Sequence, residues 1–295
     1  MNKIGFIGIG KMGGPMVLNL LNKGYSITIY DIRQEAMREL IQKGAEPAST
    51  PREVAQSCQI VCSSLPTPEA VETVYLGDEG VLAGAKSGSV AIDFSTISPF
   101  SILKVSEKAK KKKMDILEAP VSGGVDGARA GSLTIMVGGE RSVLEKVRPI
   151  LEVIGKTIHY VGKIGTASTI KVINQLLVGV NALAAVEAIT LGVKAGVNPQ
   201  LLYKIIKQSA GSSYVWEKKL PKFVLPRAFD SGFSMKLMYK DLRLAADLAE
   251  RTGSFNLLSG IAEKIYRAGI NMGLGEKDYS SIITLVEKMC AIQAK

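Results

Sequence analysis

Three glycines near the N-terminus, Gly8, Gly10 and Gly13 in "GFIGIGKMGG", follow a short apolar run and open a helical pattern. In that setting the spacing matches a loop that admits a diphosphate to the backbone. Gly8 makes the turn, Gly10 allows close approach, and Gly13 lets the helix pack on the strand. The loop Gly8, Ile9, Gly10, Lys11, Met12 and Gly13 then offers a helix N-terminus to phosphate charge. The next apolar run, "YSITIYD", ends at Asp31, whose carboxylate can accept hydrogen bonds from ribose hydroxyls. This favours NAD, while the guanidinium of Arg33, able to reach a 2′-phosphate, keeps NADP open. Leu65 and Pro66 in "SSLPTPEAV" and Thr96 in "DFSTISP" follow two further strand-like runs. Loops at the carboxyl ends of such strands face the ligand crevice, so these residues are candidates to touch the nicotinamide half. Ser122, Gly123 and Gly124 also follow a strand-like run, and their N–H groups and hydroxyl can cradle a carboxylate.

A second cluster lies in "GTASTIKVINQ", where Lys171, Asn174 and Gln175 share one helical face at the head of a long apolar segment. A charge against apolar surface costs free energy unless it has a partner or a task. Desolvation on such a face lowers a lysine pKa toward neutrality. The chain has a single histidine, His159, which alternates with apolar residues in "TIHYVG" and reads as a strand residue. Acid–base chemistry therefore falls to a lysine, a tyrosine or a carboxylate. No metal site is expected, because the three cysteines, Cys58, Cys62 and Cys290, form no paired zinc pattern.

The net charge of +10 raises a nucleic-acid reading, but only "KAKKKK" (108–113) is dense, and it reads as the solvated end of a helix. The sequence thus predicts no nucleic-acid partner. The segment 172–193 is long enough to span a bilayer, yet Asn174, Gln175, Asn181 and Glu187 interrupt it, predicting a buried core helix and no membrane association. The N-terminal apolar patch is too short and glycine-rich for a signal peptide. With cysteines that read as core thiols, the expected setting is reducing and cytoplasmic.

These residues need a scaffold. Short β-rich runs alternate with helical patterns as far as "TIHYVG", predicting βαβ units around a mostly parallel sheet. After Gly165 the strand signals stop, and 167–195, 199–209, 234–253, 256–271 and 278–293 read as helices. The expected organisation is an α/β dinucleotide-binding domain over 1–164 and an all-helical domain over 165–295 that shapes the substrate pocket. Tyr214, Trp216, Phe233 and Met235 are candidates to line that pocket, with core packing the competing role.

"GFIGIGKMGGPM", "SLP", "DFST", "APVSGG", "LTIMVGG", "KVINQ" and "YKDLRLA" together resemble the β-hydroxyacid dehydrogenase family, in the family's order over residues 3 to about 285. The resemblance implies a Rossmann-type doubly wound domain, a long connecting helix and a helical domain that assembles homodimers or homotetramers. It implies NAD(P)-dependent interconversion of a small β-hydroxy carboxylic acid and its semialdehyde, of the 3-hydroxyisobutyrate, tartronate semialdehyde or 2-(hydroxymethyl)glutarate type. Lys171 would be the catalytic acid–base, with Asn174 near the reacting oxygen. Ser122, Gly123, Gly124 and Gln175 would face the substrate, and Lys240, supported by Asp241, would approach the cofactor. The alternatives are an NADPH-linked succinic or glyoxylic semialdehyde reductase, or a non-catalytic nucleotide- or nucleic-acid-binding relative.

Overall fold

The computed structural model describes residues 3–294. By its internal contacts the chain forms two units, Met1–Lys171 and Val172–Lys295. The division falls inside the helix Thr166–Lys194.

Among its described residues the first unit has nine strands: β1 Ile4–Ile7, β2 Ile27–Tyr30, β3 Glu46–Pro47, β4 Ile60–Ser63, β5 Val90–Asp93, β6 Asp115–Glu118, β7 Val121–Ser122, β8 Leu133–Gly138 and β9 Gly155–Gly162. Their order in the sheet is β3-β2-β1-β4-β5-β6-β8-β7, with β9 beside β8. From β3 to β6 every pairing is parallel, whereas β8 runs antiparallel to β6 and β7. The chain therefore winds outward from β1 in one direction and then from β4 in the other, which makes the β1/β4 junction the switch point where such sheets bind ligands. Strands β1, β4 and β5 ("IGFI", "IVCS", "VAID") are buried at every position, as covering both faces of a parallel sheet requires. Alternate residues feed opposite faces: Phe6 and Ile92 join one apolar cluster, Ile7 and Ala91 the other.

The helices of this unit are α1 Gly13–Asn22, α2 Gln34–Gln42, α3 Pro51–Ser57, α4 Pro68–Leu76, α5 Val81–Gly84, α6 Pro99–Lys111, α7 Gly124–Arg129 and α8 Arg141–Ile154. Three of them start with one device. Thr50, Thr67 and Ser98 each accept a backbone N–H of the first turn, and a proline follows immediately. The lysine run closes α6, with Lys108, Lys110 and Lys111 in its last turn, as expected of a solvated helix end. His159 lies in β9, and Cys58 and Cys62 are buried. The two-residue strands β3 and β7 were not anticipated, being too short to show a period.

α9 (Thr166–Lys194) begins in the first unit and continues into the second. There follow α10 Pro199–Ile206, a π-type helix Val215–Val224, α11 Met235–Thr252, α12 Leu258–Gly269 and α13 Ile283–Cys290. Among the described residues of this unit, β-pairing is limited to a single bridge between Ser234 and Asp278. Its core gathers Val186 and Ile189 of α9, Leu220 of the π-type helix, Met238 and Leu242 of α11, and Tyr266 of α12. Trp216 and Met235 belong to this core, so they are packing residues, while Tyr214 is exposed and Phe233 packs edge-on against Tyr279. The expectation that 172–193 is a buried helix needs correction. By length and composition α9 could cross a membrane, but only 39% of its most apolar window is buried, and Ile173, Leu177 and Leu191 are exposed. One stripe packs inward and another faces outward, because the segment is apolar all round.

Candidate active site

The loop from β1 into α1 has the geometry its spacing implies. Gly8 has φ +90°, and a Cβ there would lie 2.4 Å from the Ser64 carbonyl oxygen. A Cβ at Gly13 would lie 2.0 Å from the Gly8 oxygen, so only glycine lets α1 start this close to β1. At Gly10 the space is open, the nearest atom to a built Cβ being an Arg33 guanidinium nitrogen at 3.9 Å. No side chain caps the N-terminus of α1. Ile9 is buried, Gly10 and Met12 are half-buried, and Lys11 is exposed. These features fit a dinucleotide: open space over Gly10 and an uncapped helix end for its phosphates.

Asp31 follows β2 and is buried. One carboxylate oxygen accepts the Ile9 N–H at 2.7 Å, and the other accepts the Arg33 N–H at 2.9 Å. The Arg33 Nε lies 3.4 Å from that second oxygen, on a side chain 57% exposed. Asp31 is thus locked to the glycine loop, whereas the guanidinium is only loosely held.

A buried network absent from the sequence reading stands behind the loops after β4 and β5. Asp93 accepts hydrogen bonds from the hydroxyls of Ser63 at 2.7 Å and Ser95 at 2.6 Å. The Ser95 oxygen accepts the Leu65 N–H at 2.9 Å, and Tyr75 hydroxyl lies 2.9 Å from the Ser63 oxygen. This ties Leu65, and with it Pro66, to the end of β5, three residues after which comes half-buried Thr96. Burial pushes the Asp93 carboxyl up to about 6, its serine partners and the Ser95 N–H pulling it back and Glu118 adding to the rise. The Asp93 and Ser95 side chains offered little signal, because a short polar residue after a strand reads as a turn.

Ser122 pairs with Thr134 in the β7–β8 ladder. Gly123 and Gly124 follow with φ of +132° and +64°, both exposed, and nothing lies within 4 Å of a Cβ built at Gly124. The turn therefore presents its backbone to solvent, as a carboxylate cradle requires.

Lys171 is only 6% exposed, on the second turn of α9. The helix start is held by Glu118 at the end of β6. Its carboxylate accepts the Ala167 N–H at 2.8 Å, the Ser168 N–H at 3.1 Å and the Ser168 hydroxyl at 2.5 Å.

In the second unit the side chains form a relay. The Asn174 amide donates to the Gln175 carbonyl at 3.1 Å. The Gln175 amide donates to Asp241 at 2.5 Å, and the other Asp241 oxygen lies 2.8 Å from Lys240 Nζ. Asp241 is buried and Lys240 largely so. Gln175, expected to face substrate, is buried and engaged at both ends of its amide, which makes it the bridge between Asn174 and Asp241. Among the described residues, no group of three or more His, Cys, Asp or Glu is placed to hold a metal ion.

Known proteins resemble this chain along nearly its whole length. Residues 3–162 match the NAD-binding domain of 6-phosphogluconate dehydrogenase, and residues 165–286 match the NAD-binding domain of NADP-dependent 3-hydroxyisobutyrate dehydrogenase. The chain is 42% identical over 291 residues to 2-(hydroxymethyl)glutarate dehydrogenase of Eubacterium barkeri, covering 98% of this chain and 96% of that one. It is 36% identical to the NAD-dependent L-serine dehydrogenase of Pseudomonas aeruginosa, covering 97% and 98%. The solved structure of Mycobacterium tuberculosis 3-hydroxyisobutyrate dehydrogenase with L-serine superposes with a TM-score of 0.89 at 33% identity, covering 97% of this chain and 99% of that one. The glycine loop, the anchored Asp31 and these matches along nearly the whole chain lead to one conclusion: it belongs to the NAD(P)-dependent β-hydroxyacid dehydrogenase family of oxidoreductases.

Proposed function

We propose that this enzyme oxidises a primary alcohol β to a carboxylate, R–CH2OH, to the corresponding semialdehyde, R–CHO, with Lys171 as the acid–base. The carrying observation is the burial of Lys171 on the helix that also presents Asn174 and Gln175. The substrates named for the relatives, 2-(hydroxymethyl)glutarate, L-serine and 3-hydroxyisobutyrate, share a hydroxymethyl group next to the carbon that bears a carboxylate. Neutral Lys171 takes the hydroxyl proton during oxidation, and its ammonium returns a proton to the alkoxide during reduction. A bound nicotinamide supplies the hydride acceptor. Ser122, Gly123 and Gly124 hold the substrate carboxylate, and Asn174, three residues after Lys171 on the same helix, orients the reacting oxygen.

The test is Lys171→Ala assayed on 3-hydroxyisobutyrate, 2-(hydroxymethyl)glutarate, L-serine, glycerate and 4-hydroxybutyrate, each with NAD and NADP. Wild-type enzyme should turn over at least one β-hydroxy acid, and the variant should lose roughly 10²–10⁴-fold in kcat. Wild-type turnover in a folded K171A protein would sink the role given to Lys171. NAD is the proposed coenzyme, because a carboxylate after the second strand, here Asp31 held by the Ile9 and Arg33 N–H groups, suits ribose hydroxyls and repels a 2′-phosphate. Arg33 supports a second reading, NADPH-linked semialdehyde reduction, and initial rates with NADH and NADPH separate the two.

We also propose a homo-oligomer in a cytoplasmic setting, without nucleic-acid or membrane partners. The exposed Leu177, Leu191, Leu201, Ile205 and Leu258 of the second unit suit burial against another copy. Light scattering that finds a monomer at micromolar concentration would refute the oligomer. DNA binding that persists at moderate salt would refute the exclusion of nucleic acid.

A further inference from the structure

We propose that Glu118 is a positioning residue for Lys171, its carboxylate setting the height and rotation of the helix that carries the lysine. The inference rests on the acid–base role given to Lys171 above. A helix start leaves four N–H groups without intrahelical partners, and a Ser, Thr, Asp or Asn immediately before the helix ordinarily satisfies them. At α9 the acceptor instead comes from a different element, β6, 49 and 50 residues earlier in the chain. Two N–H groups and one hydroxyl of the first turn converge on its two oxygens. Two oxygens gripping two successive residues fix rotation about the helix axis as well as translation along it. Lys171 lies four residues after Ala167 and three after Ser168, on the face that Glu118 grips.

The surroundings are shaped around this carboxylate. Gly138 of β8 is paired with Glu118, and a Cβ there would lie 2.3 Å from the Glu118 Oε1. Any side chain at 138 would displace the oxygen that holds Ala167. Glu118 is 1% exposed, and Asp93, another buried carboxylate, is its register partner on β5. A local serine or threonine cap would complete the helix without burying a charge beside another. Burial raises the Glu118 pKa, opposed by hydrogen bonds from Ser168, Ala167 and Gly165. What the buried carboxylate adds is registration: β6 and the start of α9 lock in one relative placement. A proton-transfer group displaced by about 1 Å loses on the order of 100-fold in rate.

The experiment compares wild type, Glu118→Gln, Glu118→Asp and Ser168→Ala, with kcat expressed per dinucleotide-binding site so that unfolded protein does not count. E118Q keeps the size but turns an amide NH2 toward N–H donors. Its kcat should fall about 10- to 100-fold while the KM for the dinucleotide stays within about 2-fold of wild type. E118D restores the charge and should recover part of the loss. S168A removes the hydroxyl bond to Glu118 and should cost about 3- to 10-fold in kcat, a readout that survives even if E118Q does not fold. Wild-type kcat per site in S168A, or in a folded E118Q, would overturn the proposal, as would a loss that appears only as fewer folded sites. If K171A is inactive while these variants keep wild-type kcat, this inference alone fails. If K171A keeps wild-type turnover, the acid–base reading fails and this inference with it.

Discussion

The glycine loop of the first unit and the polar relay of the second hold their charged groups by opposite means. In the loop the backbone does the work. Gly13 makes room for the Gly8 carbonyl and Gly8 for that of Ser64, Gly10 leaves space open, and Asp31 is anchored to a backbone N–H. In the relay the side chains do it: Asn174, Gln175, Asp241 and Lys240 pass contacts from one to the next, with Gln175 and Asp241 separated by 66 residues. A backbone site is made by neighbours in the chain and is encoded as a short pattern. A side-chain relay needs two helices brought together, so no local spacing encodes it.

The contrast predicts separable failures. Lys171→Ala should remove roughly 10²–10⁴-fold of kcat and leave the dinucleotide Kd near wild type. A matching loss of dinucleotide affinity would show that the lysine is not specific to the chemical step. Buried Asp93, behind the loops after β4 and β5, should dominate the pH dependence of stability in the first unit. Its folded pKa is raised, so its favourable contribution is complete below its unfolded value and is lost as pH rises through about 6. Asp93→Asn should flatten the decline in unfolding free energy between pH 4 and 7 by up to about 3 kcal/mol, measured by urea titration. A decline unchanged in D93N would remove Asp93 as its source.

Gly13→Ala should reverse the Lys171→Ala pattern. The new methyl meets the Gly8 oxygen, so the protein loses about 1–3 kcal/mol of stability and binds dinucleotide more weakly, read by melting curves with and without NAD. Equal stabilisation by NAD in wild type and G13A would show that the loop tolerates the shift. Gln175→Leu leaves Asp241 short of a donor and should cost about 1–2 kcal/mol, with the accompanying kcat loss smaller than that of K171A. The smallest effect expected is a change of coenzyme preference: Asp31→Ser should move the NAD/NADP ratio of kcat/KM toward NADP by about tenfold, as loss of one charged hydrogen-bond acceptor implies. A ratio that does not move would assign selection to Arg33.

Legibility followed distance along the chain. The strands around the glycine loop, the helix that ends in the lysine run and α9 were all readable, because period and punctuation are local. Lys171 and Asn174 stood out because polar groups on an apolar segment break its pattern. Trp216 and Met235 were ambiguous between pocket and core, since apolar side chains serve either, and only their burial assigned them to the core. The π-type helix Val215–Val224 escaped notice because Pro221 lies within it and its period is not that of an α-helix. Gln175 was assigned to substrate from resemblance; its amide is committed at both ends to Asn174 and Asp241.

By itself the sequence determined the α/β and helical halves, the dinucleotide loop with Asp31, and the family. Each is written in residues adjacent in the chain or in motifs that keep a fixed order. Tertiary structure alone decided that Glu118 caps the helix of Lys171, that Asp93 holds the Leu65 loop through Ser95, and that Gln175 links Asn174 to Asp241. Those are hydrogen bonds between elements. They depend on which strand lies beside which and on the room left by residues such as Gly138, and only the folded chain brings these together.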